Sequence, residues 1–132
     1  MDHIRDAESE LCVVLPDSYR AFLGEFGWGR FAGWELYGLG VDVPASLHLP
    51  SVTLDERRRF LPLTPPHLIP ILNNGAGDLY CLDTSRLMEG ECPVVCWCHE
   101  LEEDQIPYVE APGFLPWLSE ELDRAEGEPD CS

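Results

Sequence analysis

The chain has 132 residues, 45% of them hydrophobic, and sets 25 acidic side chains against 8 basic ones, none a lysine, for a formal charge of −17. That sign excludes nucleic acid as a direct ligand, because phosphate backbones need lysine and arginine opposite them. The length fits a single domain whose core needs no disulfide staples, and no stretch approaches the roughly 20 apolar residues that span a bilayer.

Residues 2 to 11 place Ile4, Ala7 and Leu11 on one helical face, which predicts a short amphipathic helix. In LPDSYRAFLGEFG, Tyr19, Phe22, Leu23 and Phe26 recur at the spacing of a core-facing helix. Pro16 suits its first turn, Asp17 its positive end, and Gly27 a left-handed stop. The glycine-broken segment GWGRFAGWELYGLG predicts a tight turn and then a strand from Gly33 to Leu39. Alternation there sets Trp34 and Leu36 against Glu35 and Tyr37. VDVPASLHLP, with two prolines, reads as an extended edge or loop. Thr53 and Glu56 fit a capping box that starts a short helix. Arg57, Arg58 and Arg59, preceded by Asp55 and Glu56, read as a solvated face of that helix rather than a phosphate site.

LIPILN and LYCLDT flank the turn-rich NNGAGD and predict a hairpin, and PVVCWC at 93 to 98 a third strand. HELEEDQIP is a charged loop. A last helix from Gly113 to Ala125 turns Phe114, Trp117, Leu118, Leu122 and Ala125 inward and tolerates Pro116 in its first turn. The class is α+β, a central antiparallel sheet flanked by N-terminal and C-terminal helices. Residues 1 to 126 form one domain, and residues 127 to 132 a disordered tail.

The start, MDHIRDAESE, has no apolar segment behind a basic one, so a cytoplasmic location is expected. The six cysteines then read as reduced, with Cys12, Cys81 and Cys92 as small hydrophobes. Cys96, Cys98 and His99 are the one candidate metal set. The one-residue gap puts both thiols on one strand face, but zinc pairs usually sit two to four residues apart, so packing is the reading preferred and no metal or cofactor is expected. Asp78 and Asp83 read as turn and cap residues rather than an acid-base pair. His48, His67 and His99 lie among turns, and Ser18, Ser51 and Ser85 lack a nucleophile context. No enzymatic activity is expected.

Five motifs in order, LPDSYRAFLGEFGWG, WELYGLG, IPILNNGAGDLYCLDT, PVVCWCHE and FLPWLSEEL, give the chain a resemblance to the SUKH superfamily. It resembles the Smi/Knr branch, which includes a fungal cell-wall synthesis regulator and many bacterial immunity proteins, over roughly residues 11 to 123. The matching positions are Leu15, Pro16, Tyr19, Phe22, Leu23, Gly27, Trp28, Gly29, Tyr37, Gly38, Gly75, Gly77, Asp78, Asp83, Trp97 and Trp117, mostly determinants of the fold. The cysteine content and the lack of lysine depart from the pattern without touching it. The resemblance implies a bent sheet used as a binding scaffold. It further implies an immunity protein that neutralises a cognate toxin domain, often a nuclease, stoichiometrically and without chemistry.

Under that reading the acidity has a use, since carboxylates imitate the substrate charge that a basic toxin holds. The expected toxin-binding acids are Glu35, Asp42, Asp78, Glu100, Glu102, Glu103 and Asp104. Glu25 frames the same glycine-aromatic segment, in which Trp28 and Trp34 are expected to be buried. The expected state is a monomer with a basic protein partner and no membrane contact. The competing reading is a regulatory adaptor of the cell-wall type.

Overall fold

The computed structural model describes residues 3–31, 34–59, 63–73, 78–98, 100–101 and 105–127. In chain order these form α1 (His3–Leu11), α2 (Asp17–Phe26), β1 (Gly29–Phe31), β2 (Trp34–Leu36), a 3-10 turn (Ala45–Leu47), α3 (Leu49–Arg58) and β3 (Leu68–Asn73). There follow β4 (Leu79–Asp83), a second 3-10 turn (Thr84–Arg86), β5 (Val94–Trp97), β6 (Tyr108–Ala111) and α4 (Phe114–Gly127). The strands of the described residues pair strictly in sequence order, all antiparallel, as one six-stranded sheet. This is the α+β class expected. The predicted hairpin is β3 with β4, in register from Leu68↔Asp83 to Asn73↔Leu79, with a shift between Pro70 and Leu72. Pro70 has no N–H to give the ladder, and the irregularity falls beside it. Residues 74–77 of the turn and the tail after Gly127 lie outside the described residues.

The main core joins Leu36, Ile69, Ile71, Leu72, Leu82 and Val94 of the sheet to the helices. These contribute Ala7 and Leu11 of α1, Tyr19 and Leu23 of α2, Leu49 of α3, and Phe114 and Trp117 of α4. A smaller cluster holds Leu68, Leu79, Cys81, Val95 and Trp97. Tyr19 sits at the centre of the larger one. Its ring meets Phe114 edge-on at 5.0 Å, and its hydroxyl donates to the Tyr37 carbonyl at 2.8 Å, so the one polar atom it buries is satisfied.

Several expectations need correction. The GWGRF stretch is not only a turn: Gly29–Phe31 is a strand paired with Trp34–Leu36. β2 stops at Leu36 rather than Leu39, because Gly38 leaves the ladder to bridge His48. A Cβ on Gly38 would collide with the Gly27 carbonyl and the Trp28 backbone, so this crossing of the GWG and YGLG motifs requires glycine. Tyr37 is buried, its N–H donating to the Ile71 carbonyl and its own carbonyl accepting from the Tyr19 hydroxyl.

VDVPASLHLP is not extended. It coils into the first 3-10 turn, and α3 then begins at Leu49 with Pro50 in its first turn, where a missing N–H costs nothing. Thr53 is therefore mid-helix and buried, its hydroxyl without a partner among the described residues, and makes no capping box with Glu56. Arg57 is not simply solvated: it donates to the Leu11 carbonyl at 3.2 Å and the Pro66 carbonyl at 2.6 Å, stitching α3 to the end of α1. Cys12 is exposed, not a core residue, with a φ of 59° just beyond α1.

Two helices bury narrower stripes than their periodicity implied. Phe26 is 67% exposed at the end of α2, and on α4 Leu122 is 38% exposed while Glu121 is buried. Pro16 occupies the position before α2 and offers no side-chain cap. The turn that reverses the chain between Met88 and Glu91 supplies it instead. Gly90 accepts from the Asp17 N–H at 2.7 Å, and the Glu91 carboxylate takes the Ser18 N–H at 3.0 Å and the Ser18 hydroxyl at 2.7 Å. β6 was not anticipated; it pairs with β5 and forms the far edge of the sheet.

Candidate interaction surface

Acidic side chains gather at one end of the sheet because of its register. Glu35 is exposed on β2, across from Arg30 of β1. β2 meets β3 at Leu36↔Leu72, so one further step sets Glu35 level with Asn73, the partner of Leu79, which in turn faces Trp97. Asp78 precedes Leu79, and the exposed Glu100 follows just beyond Trp97. Glu102, Glu103 and Asp104 lie outside the described residues.

Asp42 belongs to another neighbourhood. It sits on the exposed turn after Gly40, where its carboxylate accepts from the indole N–H of Trp28 at 3.4 Å. Trp28 is half-buried, and nothing is described of the Trp34 side chain. An open cleft of about 420 Å³ lies here, with Ile4, Glu25, Phe26, Val41 and Asp42 among its lining residues. Phe26 and Val41, 67% and 96% exposed, are apolar anchors framed by two carboxylates. Helical periodicity assigned Phe26 to the core and no local signal marked it as an exposed contact.

Asp78 has neighbours that the sequence did not reveal. Its carboxylate and the thiols of Cys96 and Cys98 all lie within 4.8 Å of one another, each residue half-buried. The register explains the cluster: Leu79↔Trp97 continued one step sets Asp78 opposite Cys98, with Cys96 two residues back on the same face. Trp97 between them points away into the smaller core. Gln105 pins Cys98 through both backbone groups, accepting its N–H at 3.0 Å and donating to its carbonyl at 2.9 Å. Burial pushes the Cys96 thiol up to about 12, with Cys98, Asp78 and Glu110 adding to the effect. His99 lies outside the described residues.

The geometry gives catalysis no assembled site among the described residues. Asp78 and Asp83 flank β4 and are separated by about 16 Å of strand, too far to share a proton. Asp83 caps the second 3-10 turn through the Ser85 N–H at 3.1 Å and pairs with Arg86 at 3.2 Å. His48 Nδ1 lies 2.7 Å from the Ser51 hydroxyl, but both are solvent-accessible at the start of α3 and no third group among the described residues orients the imidazole. Among the described residues no helix is long and apolar enough to cross a membrane.

The family model described as SMI1-KNR4 cell-wall, SUKH_5, matches residues 1–123. That span takes in every strand of the sheet, the Gly27–Gly38 crossing and the acidic sheet end. With this match and an α+β fold of the expected kind, the chain belongs to the SUKH family of SMI1-KNR4-type proteins.

Proposed function

We propose that this protein is a cytoplasmic immunity protein that binds a basic toxin domain of the nuclease type and covers its phosphate-binding surface with carboxylates. The observation that carries the reading is where the positive charge goes. Arg20 pairs with Glu8 and Asp17, Arg59 with Asp55 and Arg86 with Asp83, and Arg57 is tied to two backbone carbonyls. Four of the chain's eight arginines are thus engaged within the fold, and with 25 acidic residues against 8 basic ones the net charge stays strongly negative. A one-signed field of this kind accelerates capture of an oppositely charged partner by roughly 10 to 1,000-fold. Binding without chemistry suffices, since a toxin whose phosphate site is covered cannot hold its substrate.

The proposed contact surface is the sheet end, with Glu35, Asp78 and Glu100, continued by Glu102, Glu103 and Asp104. Asp42, with Glu25, Phe26 and Val41, forms a second patch. The test takes the toxin domain encoded beside this chain, measures association at rising ionic strength, and scores protection of cells that express the toxin. Association should slow steeply with salt, and reversing Glu35, Glu100, Glu102, Glu103 and Asp104 to lysine should slow capture at least ~10-fold and abolish protection. An unchanged rate in that variant, with loss instead on changing Asp42 and Phe26, moves the interface to the cleft. The family description, cell-wall, favours a second reading as a regulatory adaptor, under which the chain gives no protection against any neighbouring toxin.

A further inference from the structure

We propose that Asp78, Cys96 and Cys98 bind one zinc ion, independently of which protein the surface recognises. The three ligand atoms already lie within 4.8 Å of one another. A tetrahedral zinc with Zn–S near 2.3 Å and Zn–O near 2.1 Å holds such atoms about 3.6 to 3.8 Å apart, so side-chain adjustment of about 1 Å at most closes the set. The backbone beneath the two cysteines is held in place. Cys96 is a ladder residue of β5, paired with Tyr80 on one side and Tyr108 on the other, and Gln105 holds both backbone groups of Cys98. With Cys96 on a strand and Cys98 pinned just past its end, the two sulfurs stay in place when the ion arrives, which favours binding over rearrangement.

The chemistry of the set selects the metal. Two sulfurs and one carboxylate suit zinc, whereas magnesium and calcium take oxygen ligands. As the ion binds, the two thiols release their protons to solvent and coordinate as thiolates. The described residues supply three ligands to the ion, all half-buried. A chain of net charge −17 also draws divalent cations toward it. The ion would clamp the start of β4 to the end of β5, stiffening the end of the sheet where Glu35 and Glu100 also lie.

The experiment uses the full chain, reduced and stripped of metal. Zinc is titrated against a chromophoric chelator, cobalt(II) is substituted for its spectrum, and thiol alkylation is mapped by mass spectrometry with and without zinc. We expect one zinc per chain, a thiolate-to-cobalt charge-transfer band, and protection of Cys96 and Cys98 but not Cys12. Cys96→Ser and Cys98→Ser should each weaken binding at least ~10-fold and Asp78→Asn measurably, while Cys12→Ser changes nothing. The alkylation map is read on the unaltered protein, so it decides even if a serine variant fails to fold. No stoichiometric zinc, or zinc that leaves Cys96 and Cys98 as reactive as before, overturns the proposal.

Discussion

Glu56 shows how one side chain's surroundings set its effect on stability. Its carboxyl is half-buried on α3, and burial first, then the neighbouring Asp55, raise its pKa above the ordinary 4.5. The folded chain therefore holds that proton more tightly than the unfolded chain does. The resulting stabilisation is complete below the unfolded pKa and is lost as the pH rises through the folded one. At pH 7 the ionised carboxylate opposes folding, so Glu56→Gln should raise the melting temperature there and make no difference near pH 3, as parallel thermal melts will show. Because the group is half-exposed, the gain stays under ~1 kcal/mol. Tyr37 feels the same carboxylate from the sheet side, burial being the larger reason its phenol is pushed up to about 12.

Among the elements, α2 depends most plainly on a distant part of the chain. Proline at its entrance supplies no cap, and the Glu91 carboxylate, 73 residues beyond Ser18, accepts both the N–H and the hydroxyl of that serine. Glu91→Ala should cost about 1 to 2 kcal/mol in urea unfolding and speed hydrogen exchange in the first turn of α2. A double variant with Ser18→Ala should lose little more than the single one, since the two share the interaction. This cap was not legible in the sequence, where nothing links positions so far apart. The helices themselves were, because α1, α2 and α4 carry long apolar stripes, and so was the β3–β4 hairpin. β1 and β6 were not: GRF is three residues among glycines, and Tyr108 and Val109 are exposed on the outermost strand, so neither shows the alternation of a half-buried strand. Pro50 concealed the start of α3, since a proline reads as a breaker unless the helix is known to begin there. At the candidate site the sequence put Cys96 and Cys98 on one face, but Asp78 joins them only through the register of β4 against β5, which spacing along the chain does not encode.

For the molecule as a whole, repulsion among like charges works against compactness. Shielding by salt should therefore stabilise this fold, and the melting temperature is expected to rise by several degrees from about 10 mM to 150 mM sodium chloride, over which the Debye length falls from ~30 Å to ~8 Å. A melting temperature independent of salt would mean that the carboxylates are already neutralised within the fold, and would remove the basis for long-range attraction of a partner. The strictly sequential sheet has a consequence of its own. Each strand is laid beside the one synthesised just before it; β3 with β4 and β4 with β5 close over short connections, which favours rapid folding, whereas β2 waits for Leu72 on the far side of α3. After the Glu91 turn that anchors α2 come β5, β6 and then α4, whose Phe114 and Trp117 seal the core. For the immunity role proposed above, the moment at which α4 closes the core would set the earliest time at which a newly made chain can capture its partner.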